Sequence, residues 1–313
     1  MRARHWLLFA LALSVPSICS ATDLNQQTVK AWDEYIREVN AGMQLRLTNP
    51  GNFLWMDEAA GRRERVRQGE IVVEPATKDI PEKVPQGLIH DWLGAVFIPN
   101  TTMDAVFTTL SNYDSYNKFY NPAVIDAKLR EVTGSSRKFS LVLAEKVPFV
   151  TAAIASEYTS QTFRVDDRHR YTVTYSTRIQ QIDDYGKAGQ HLLPPDHGAG
   201  YIWRLYSIER FEERDGGVYA ELEAIALSRN IPFELQWLIR PILQHMPRNS
   251  MVGTLSKTRQ AVRVSESGNA AEVAKLGSPA AESGKPWVST KSGRSFRSPQ
   301  SPTPRSMGVR SPD

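Results

Sequence analysis

Residues 231–263 read IPFELQWLIRPILQHMPRNSMVGTLSKTRQAVR. Pro232 suits a first helical turn, where its missing N–H costs nothing. Phe233, Leu235, Trp237, Leu238, Ile239, Ile242, Leu243 and Met246 make the first half apolar nearly all round, which demands burial. Pro241 and Pro247 each remove a backbone donor and crowd the preceding turn, so a kink or break is expected there. Met251, Val252, Leu255 and Val262 continue at roughly helical spacing. A helix this apolar needs a large partner surface, and the chain before it supplies one.

Upstream, strand-like segments fall at about 124–132, 136–147, 150–164, 168–184, 200–214 and 217–229. They are joined by turn residues such as Gly134-Ser135, Asp166-Asp167 and Asp215-Gly216-Gly217. Six consecutive strands with tight joints form an antiparallel meander. The exception is 184–200, a long loop rich in Gly and Pro and of the kind that forms lids or binding loops. Before the meander come a short strand at Trp92–Ile98 and a helix. Thr101 and Asp104 resemble a cap for that helix, and Met103, Val106, Phe107 and Leu110 form its apolar face. The segment NYDSYNKFY, 112–120, predicts a second short helix that ends before Pro122.

The order strand, two helices, six strands, long terminal helix resembles the helix-grip fold of the START-like superfamily, the polyketide cyclase/dehydrase and lipid-transport group. The stretch FTTLSNYDSYNKFYNPAV, 107–124, is similar to that group's helix leading into a Y-x-x-Y/F-x-P turn. The resemblance covers about residues 88–264. It implies an α+β fold in which a curved antiparallel sheet wraps the C-terminal helix and leaves a cavity between them. The group holds lipid carriers, aromatic polyketide cyclases and many proteins of unassigned role.

Alternation along the strands assigns candidates to the cavity wall. These are Leu141 and Leu143, Ile154 and Tyr158, Val173 and Tyr175, Trp203 and Leu205, and Leu222 from the sheet, with Trp237, Leu238 and Leu255 from the helix. The strand charges Arg178, Arg204, Arg210, Arg229, Glu157, Glu209, Glu221 and Glu223 are expected to pair across the opposite face. No HExxH, GxSxG, paired-cysteine spacing or phosphate loop occurs, so no catalytic residue, metal site or cofactor is assigned. His191 and His197, with Asp196 between them, lack a spacing that would aim them together, and His90 and His245 read as structural.

The ends differ from the middle. Residues 1–21 have a basic start, an apolar run Trp6–Val15 and small residues at 19–21, the pattern of a cleaved export signal. The single cysteine, Cys19, lies inside it, so the mature chain would hold no disulfide. Residues 22–87 form a helical extension and linker. Val29, Trp32, Ile36, Val39 and Met43 make one apolar stripe that must dock, 62–68 is too charged to be core, and 74–86 holds three prolines. Residues 265–313 are Ser-, Pro- and Arg-rich, with too little apolar surface to order. Of 38 Lys+Arg and 34 Asp+Glu, residues 22–263 carry 29 and 30, so the basic pI comes from the ends. A near-neutral folded part argues against nucleic-acid binding, while the basic tail suits weak contact with an anionic membrane surface. The expected role is an exported protein, secreted or periplasmic, that holds a lipid-like or aromatic ligand. The alternatives are a cyclase- or hydratase-type enzyme and an interaction module with a filled core.

Overall fold

The computed structural model describes residues 24–48, 50–147, 150–198, 202–230 and 233–266. The export-signal segment and the tail from residue 267 on fall outside them, as does Pro232, while 265 and 266 close the last helix. The N-terminal extension forms α1 (Gln26–Thr48), a 3-10 turn at Trp55–Glu58 and α2 (Ala60–Arg67). It then enters the sheet through β1 (Val72–Pro75), β2 (Glu82–Val84) and β3 (Gly87–Pro99). After α3 (Met103–Leu110) and α4 (Tyr116–Phe119) come β4 (Val124–Thr133), β5 (Ser136–Val147), β6 (Val150–Arg164) and β7 (His169–Asp183). The two-residue β8 (His191–Leu192), β9 (Arg204–Arg214), β10 (Gly217–Arg229) and α5 (Phe233–Glu266) complete the described chain.

The strands pair antiparallel in the order β1-β3-β10-β9-β7-β6-β5-β4, with β2 beside β3 and β8 beside β7. The expected meander is present, and its last strand closes against the entry strand over the full register Gly217↔Pro99 to Arg229↔Gly87. The helix-grip arrangement follows, because α5 packs along one face of this sheet, chiefly over β3. At the crossing, Gly94 leaves room for Leu255, Val73 and Met251, whose carbons would lie 2.7, 3.1 and 3.2 Å from a β-carbon built there. Around it Val96, Ile98, Met103, Val106, Phe211, Val218 and Ala220 form a buried apolar cluster with Met251, Leu255 and Val262.

Four sequence expectations need correction. Residues 74–86 are not merely a linker, since β1 and β2 take up ladder hydrogen bonds along β3. Pro241 and Pro247 do not break α5, which runs through both; each forfeits one backbone bond and the rest of the ladder carries the helix past. The cap of α3 is Thr102 rather than Thr101, its Oγ1 accepting from the Ala105 amide at 3.3 Å. The charged stretch 62–68 contributes to the core after all, through Val66.

The α1 stripe docks as expected, on the sheet face opposite α5. Trp32, Met43, Phe53, Leu54, Trp55, Met56 and Val66 pack there on Ile89, Leu93, Ala95, Ile208, Tyr219, Ile225 and Leu227. This layer also covers charge. Arg210 is 1% exposed and is paired with Glu221 at 2.9 Å and with Glu223. The Met56 amide donates to Glu221 at 3.1 Å, and the Arg210 Nε to the Met43 sulfur at 3.2 Å. Nearby, the Tyr35 hydroxyl donates to Asp91 at 2.8 Å. The strand charges at 210, 221 and 223 therefore do pair on that face, but inside the protein.

Candidate functional site

Register and alternation define the α5 face strand by strand. Phe139, Leu141 and Leu143 of β5 stand opposite Tyr158, Ser156 and Ile154 of β6. Tyr158 stands opposite Ser176 of β7, Ser160 opposite Thr174 and Thr162 opposite Thr172. Thr174 stands opposite Ser207 of β9, and Thr172 opposite Glu209. On the far side Glu209 meets Leu222 of β10. The centre of this face is thus a band of hydroxyls flanked by aromatic and aliphatic groups.

The segment between α3 and β4 lies over the aromatic end. Tyr113 packs on Phe139 with ring centroids 4.5 Å apart, and Phe139 stacks on Tyr158 at 5.1 Å. Tyr113 also touches Tyr116 at 5.1 Å, and Tyr116 touches Tyr120 at 5.1 Å. The Tyr120 hydroxyl meets the Thr258 hydroxyl of α5 at 3.0 Å, and the Lys257 ammonium donates to the Asn121 carbonyl. Five rings therefore run from the sheet to the helix. Asp114 fixes the segment by accepting from the Leu129 amide at 2.9 Å. Around the rings, Tyr116, Leu129, Leu141 and Leu205 pack but keep part of their surface accessible.

Polar groups complete the site. Thr174 donates to Ser160 at 3.0 Å, and the Ser176 hydroxyl accepts the Leu205 amide at 3.0 Å. Glu209 projects into this band, because its neighbour Arg210 points to the α1 layer and successive strand residues alternate. Burial alone pushes the Glu209 carboxyl up to about 7, with no cation to oppose it. Glu209 nevertheless keeps some accessible surface, so that surface lies among the phenols and hydroxyls of this face. Burial likewise raises the Tyr113 and Tyr120 phenols, and takes Tyr158 to about 12, so all three stay protonated donors at neutral pH.

The sequence candidates divide. Leu141, Tyr158 and Leu205 come together around Phe139 and Tyr113, and Leu143 and Ile154 extend the same face by register. Leu222 and Leu255 share the α5 face but pack around Gly94, Leu255 buried and Leu222 partly so. Three assignments fail. Val173 packs against the α1 layer, and Tyr175, of the same parity, is 44% exposed. Both were placed by their apolar character, yet the extension buries the other face too, so β7 turns its hydroxyls toward α5. Trp203 precedes β9 and joins the cluster under the α1 layer. Trp237 and Leu238 lie on α5, but their side chains fall outside the described residues. Glu209 and the tyrosines at 113, 116 and 120 were missed as site residues.

Two hollows elsewhere on the protein fit a hydrophobic ligand poorly. The one bounded by Ile154, Ile179, Gln181, Asp196, His197, Ile202 and Trp203 holds only about 10 Å³, the space of one water. The groove at Asn100–Thr102, Asp167, Arg168 and 213–217 is open and polar. Two of its charges are engaged, since the Met103 amide donates to Glu213 at 2.6 Å and Arg214 to Asp57 at 2.7 Å. Among the described residues no group of three or more His, Cys, Asp or Glu is placed to hold a metal.

No family model matches the chain, and no curated protein matches it in sequence. Solved structures do resemble it. One is a STAR-related lipid transfer protein from Xanthomonas axonopodis, 16% identical, covering 61% of this chain and 98% of that one with a TM-score of 0.39. Another is human STARD10, 9% identical over 66% and 74% of the two chains, TM-score 0.42. A third is the Zhui aromatase/cyclase from Streptomyces sp. R1128, 12% identical over 58% and 98%, TM-score 0.39. Lipid-transfer proteins and aromatase/cyclases, the two kinds named by the START-like resemblance, are thus among the solved structures similar to this chain.

Proposed function

We propose that the protein binds a hydrophobic small molecule or lipid on the α5 face of its sheet, against the aromatic belt of Tyr158, Phe139, Tyr113, Tyr116 and Tyr120. One observation carries this reading. Tyr116, Leu129, Leu141 and Leu205 stay half-covered around the belt, next to the band of hydroxyls on the same face. Aromatic walls with a few placed polar groups are the usual composition of a small-molecule site. Organic extraction of the natively purified protein, followed by mass spectrometry, tests it. A recurrent hydrophobic compound at near-stoichiometric amount supports the reading; an empty protein that also takes up no hydrophobic probe contradicts it.

A second reading draws on Glu209. A carboxyl near 7 beside protonated phenols suits general acid–base work on a bound ketone or alcohol, as a cyclase or hydratase requires. Conversion of a bound ligand by the wild type, abolished in Glu209→Gln with binding retained, would favour it over a carrier.

The leader pattern adds a proposal of export, with the mature chain beginning near Thr22 in a secreted or periplasmic protein. N-terminal sequencing of exported protein checks this; an intact Met1 on the exported chain would contradict it.

A further inference from the structure

The ligand's chemistry can be narrowed through Glu209, a carboxyl at the centre of the binding face. Glu209 is flanked in register by Thr172 and Leu222, and its strand neighbours on that face are Ser207 and Phe211. Above it, Tyr113, Tyr116 and Tyr120 are the titratable groups near enough to feel its charge. Among the described residues, no hydrogen bond or ion pair engages its carboxyl. That contrasts with Glu221 and Glu223, held by Arg210 on the other face.

Among the described residues, the cations nearest the belt bond neutral carbonyls and neither acts on Glu209. Lys257 donates to the Asn121 carbonyl, and Arg137 donates to the Gly134 and Ser136 carbonyls. Among the described residues, the surroundings of Glu209 therefore offer an acceptor and several hydroxyls, with no cation beside its carboxyl to offset an anionic headgroup. Glu209 is unpaired yet keeps accessible surface, so the polar head of a ligand can supply its partner. Resting on the binding reading above, we infer that Glu209 selects a hydrophobic ligand with a neutral hydroxyl head and excludes anionic headgroups. The ligand hydroxyl donates to the Glu209 carboxylate, or accepts from its protonated form, and the phenols and threonines around it satisfy the second half of the exchange. An anionic head in the same place would face a second negative charge in a water-poor site, where like charges repel strongly. An ammonium head would have to shed a tightly held water shell for a single carboxylate, with only hydroxyls to complete its shell.

Three probes of matched length test this: a pyrene-labelled dodecanol, the corresponding dodecanoic acid and the corresponding dodecylamine. Each is titrated at pH 8 into lipid-stripped full-length protein and its Glu209→Gln variant. The alcohol is expected to bind the wild type at least tenfold tighter than the acid. In Glu209→Gln the acid should gain at least fivefold, while the alcohol, still offered an amide partner, changes less than threefold. Equal binding of acid and alcohol by the wild type, or unchanged discrimination in the variant, overturns the inference and leaves the binding reading intact. Tighter binding of the amine than the alcohol overturns the neutral-head assignment. Failure of all three to bind the wild type overturns both readings.

Discussion

Leu255 of α5 reaches to within 2.7 Å of where a β-carbon on Gly94 would stand, so the terminal helix crosses the sheet at a point only glycine leaves open. The nearest atom is the tip of a leucine, which can turn, so the conflict is one of overpacking rather than backbone collision. Gly94→Ala is expected to cost about 1–3 kcal/mol. Leu255→Ala alone should cost about 2–5 kcal/mol, from lost transfer energy plus the void. The double variant should lose less than the sum, because each change relieves the other. Urea unfolding of the three variants measures this, and strict additivity would show that the two residues do not share the site.

Arg210 organises the opposite face. Arg210→Met strands Glu221 and Glu223, whose partner is gone, beneath the α1 layer, at a cost of about 3–5 kcal/mol. Lys138 and Glu131 form an exposed pair at 2.9 Å, and Lys138→Met there should cost under about 1 kcal/mol. Comparable losses in both variants would mean that the buried network contributes nothing special to docking the extension.

Stability should depend on pH through Glu209. Its folded carboxyl holds a proton to about 7, whereas an unfolded glutamate releases its proton near the ordinary value of about 4.3. Between those values the folded state binds more protons, so stability present at low pH is lost as pH rises toward 7. Asp91, raised to about 7 by burial, acts in the same direction. His90, lowered to about 4 by burial, opposes them as pH falls below the ordinary histidine range. Subtracting the Glu209→Gln curve from the wild type cancels both. The difference should fall by roughly 1–3 kcal/mol between pH 4 and 7.5, then flatten. A flat difference throughout would place Glu209 in contact with bulk water.

The meander and its terminal helix were legible because turn residues punctuate the strands and the last helix is too apolar to stand alone. The faces were less legible. Alternation separates two sets of side chains on a strand but does not say which set meets which layer. Here the extension buries the second face, so Tyr171 and Val173 of β7 look toward α1, and the polar Thr172 and Thr174 look toward α5. Glu209 was within reach of the same logic. It shares parity with Leu205, which was assigned inward, and opposes Arg210, so grouping all strand charges on one face contradicted the alternation that placed Leu205. The tyrosines at 113, 116 and 120 carried a visible motif, but only their contact with Phe139 and Thr258 turns it into a wall.

The central claim is that a hydrophobic ligand occupies the face lined by Leu141, Tyr158 and Leu205. The most direct test titrates the pyrene-labelled alcohol into lipid-stripped wild-type, Leu141→Trp and Tyr175→Ala proteins, with folding of each checked by circular dichroism and urea unfolding. The account predicts saturable one-to-one binding by the wild type. Leu141→Trp, which enlarges a half-covered side chain packed on the Phe139 cluster, should weaken it at least tenfold without unfolding the protein. Tyr175→Ala, at a position 44% exposed on the other side of β7, should leave it unchanged. Absence of saturable binding to the wild type, or equal binding by a folded Leu141→Trp, would contradict the account.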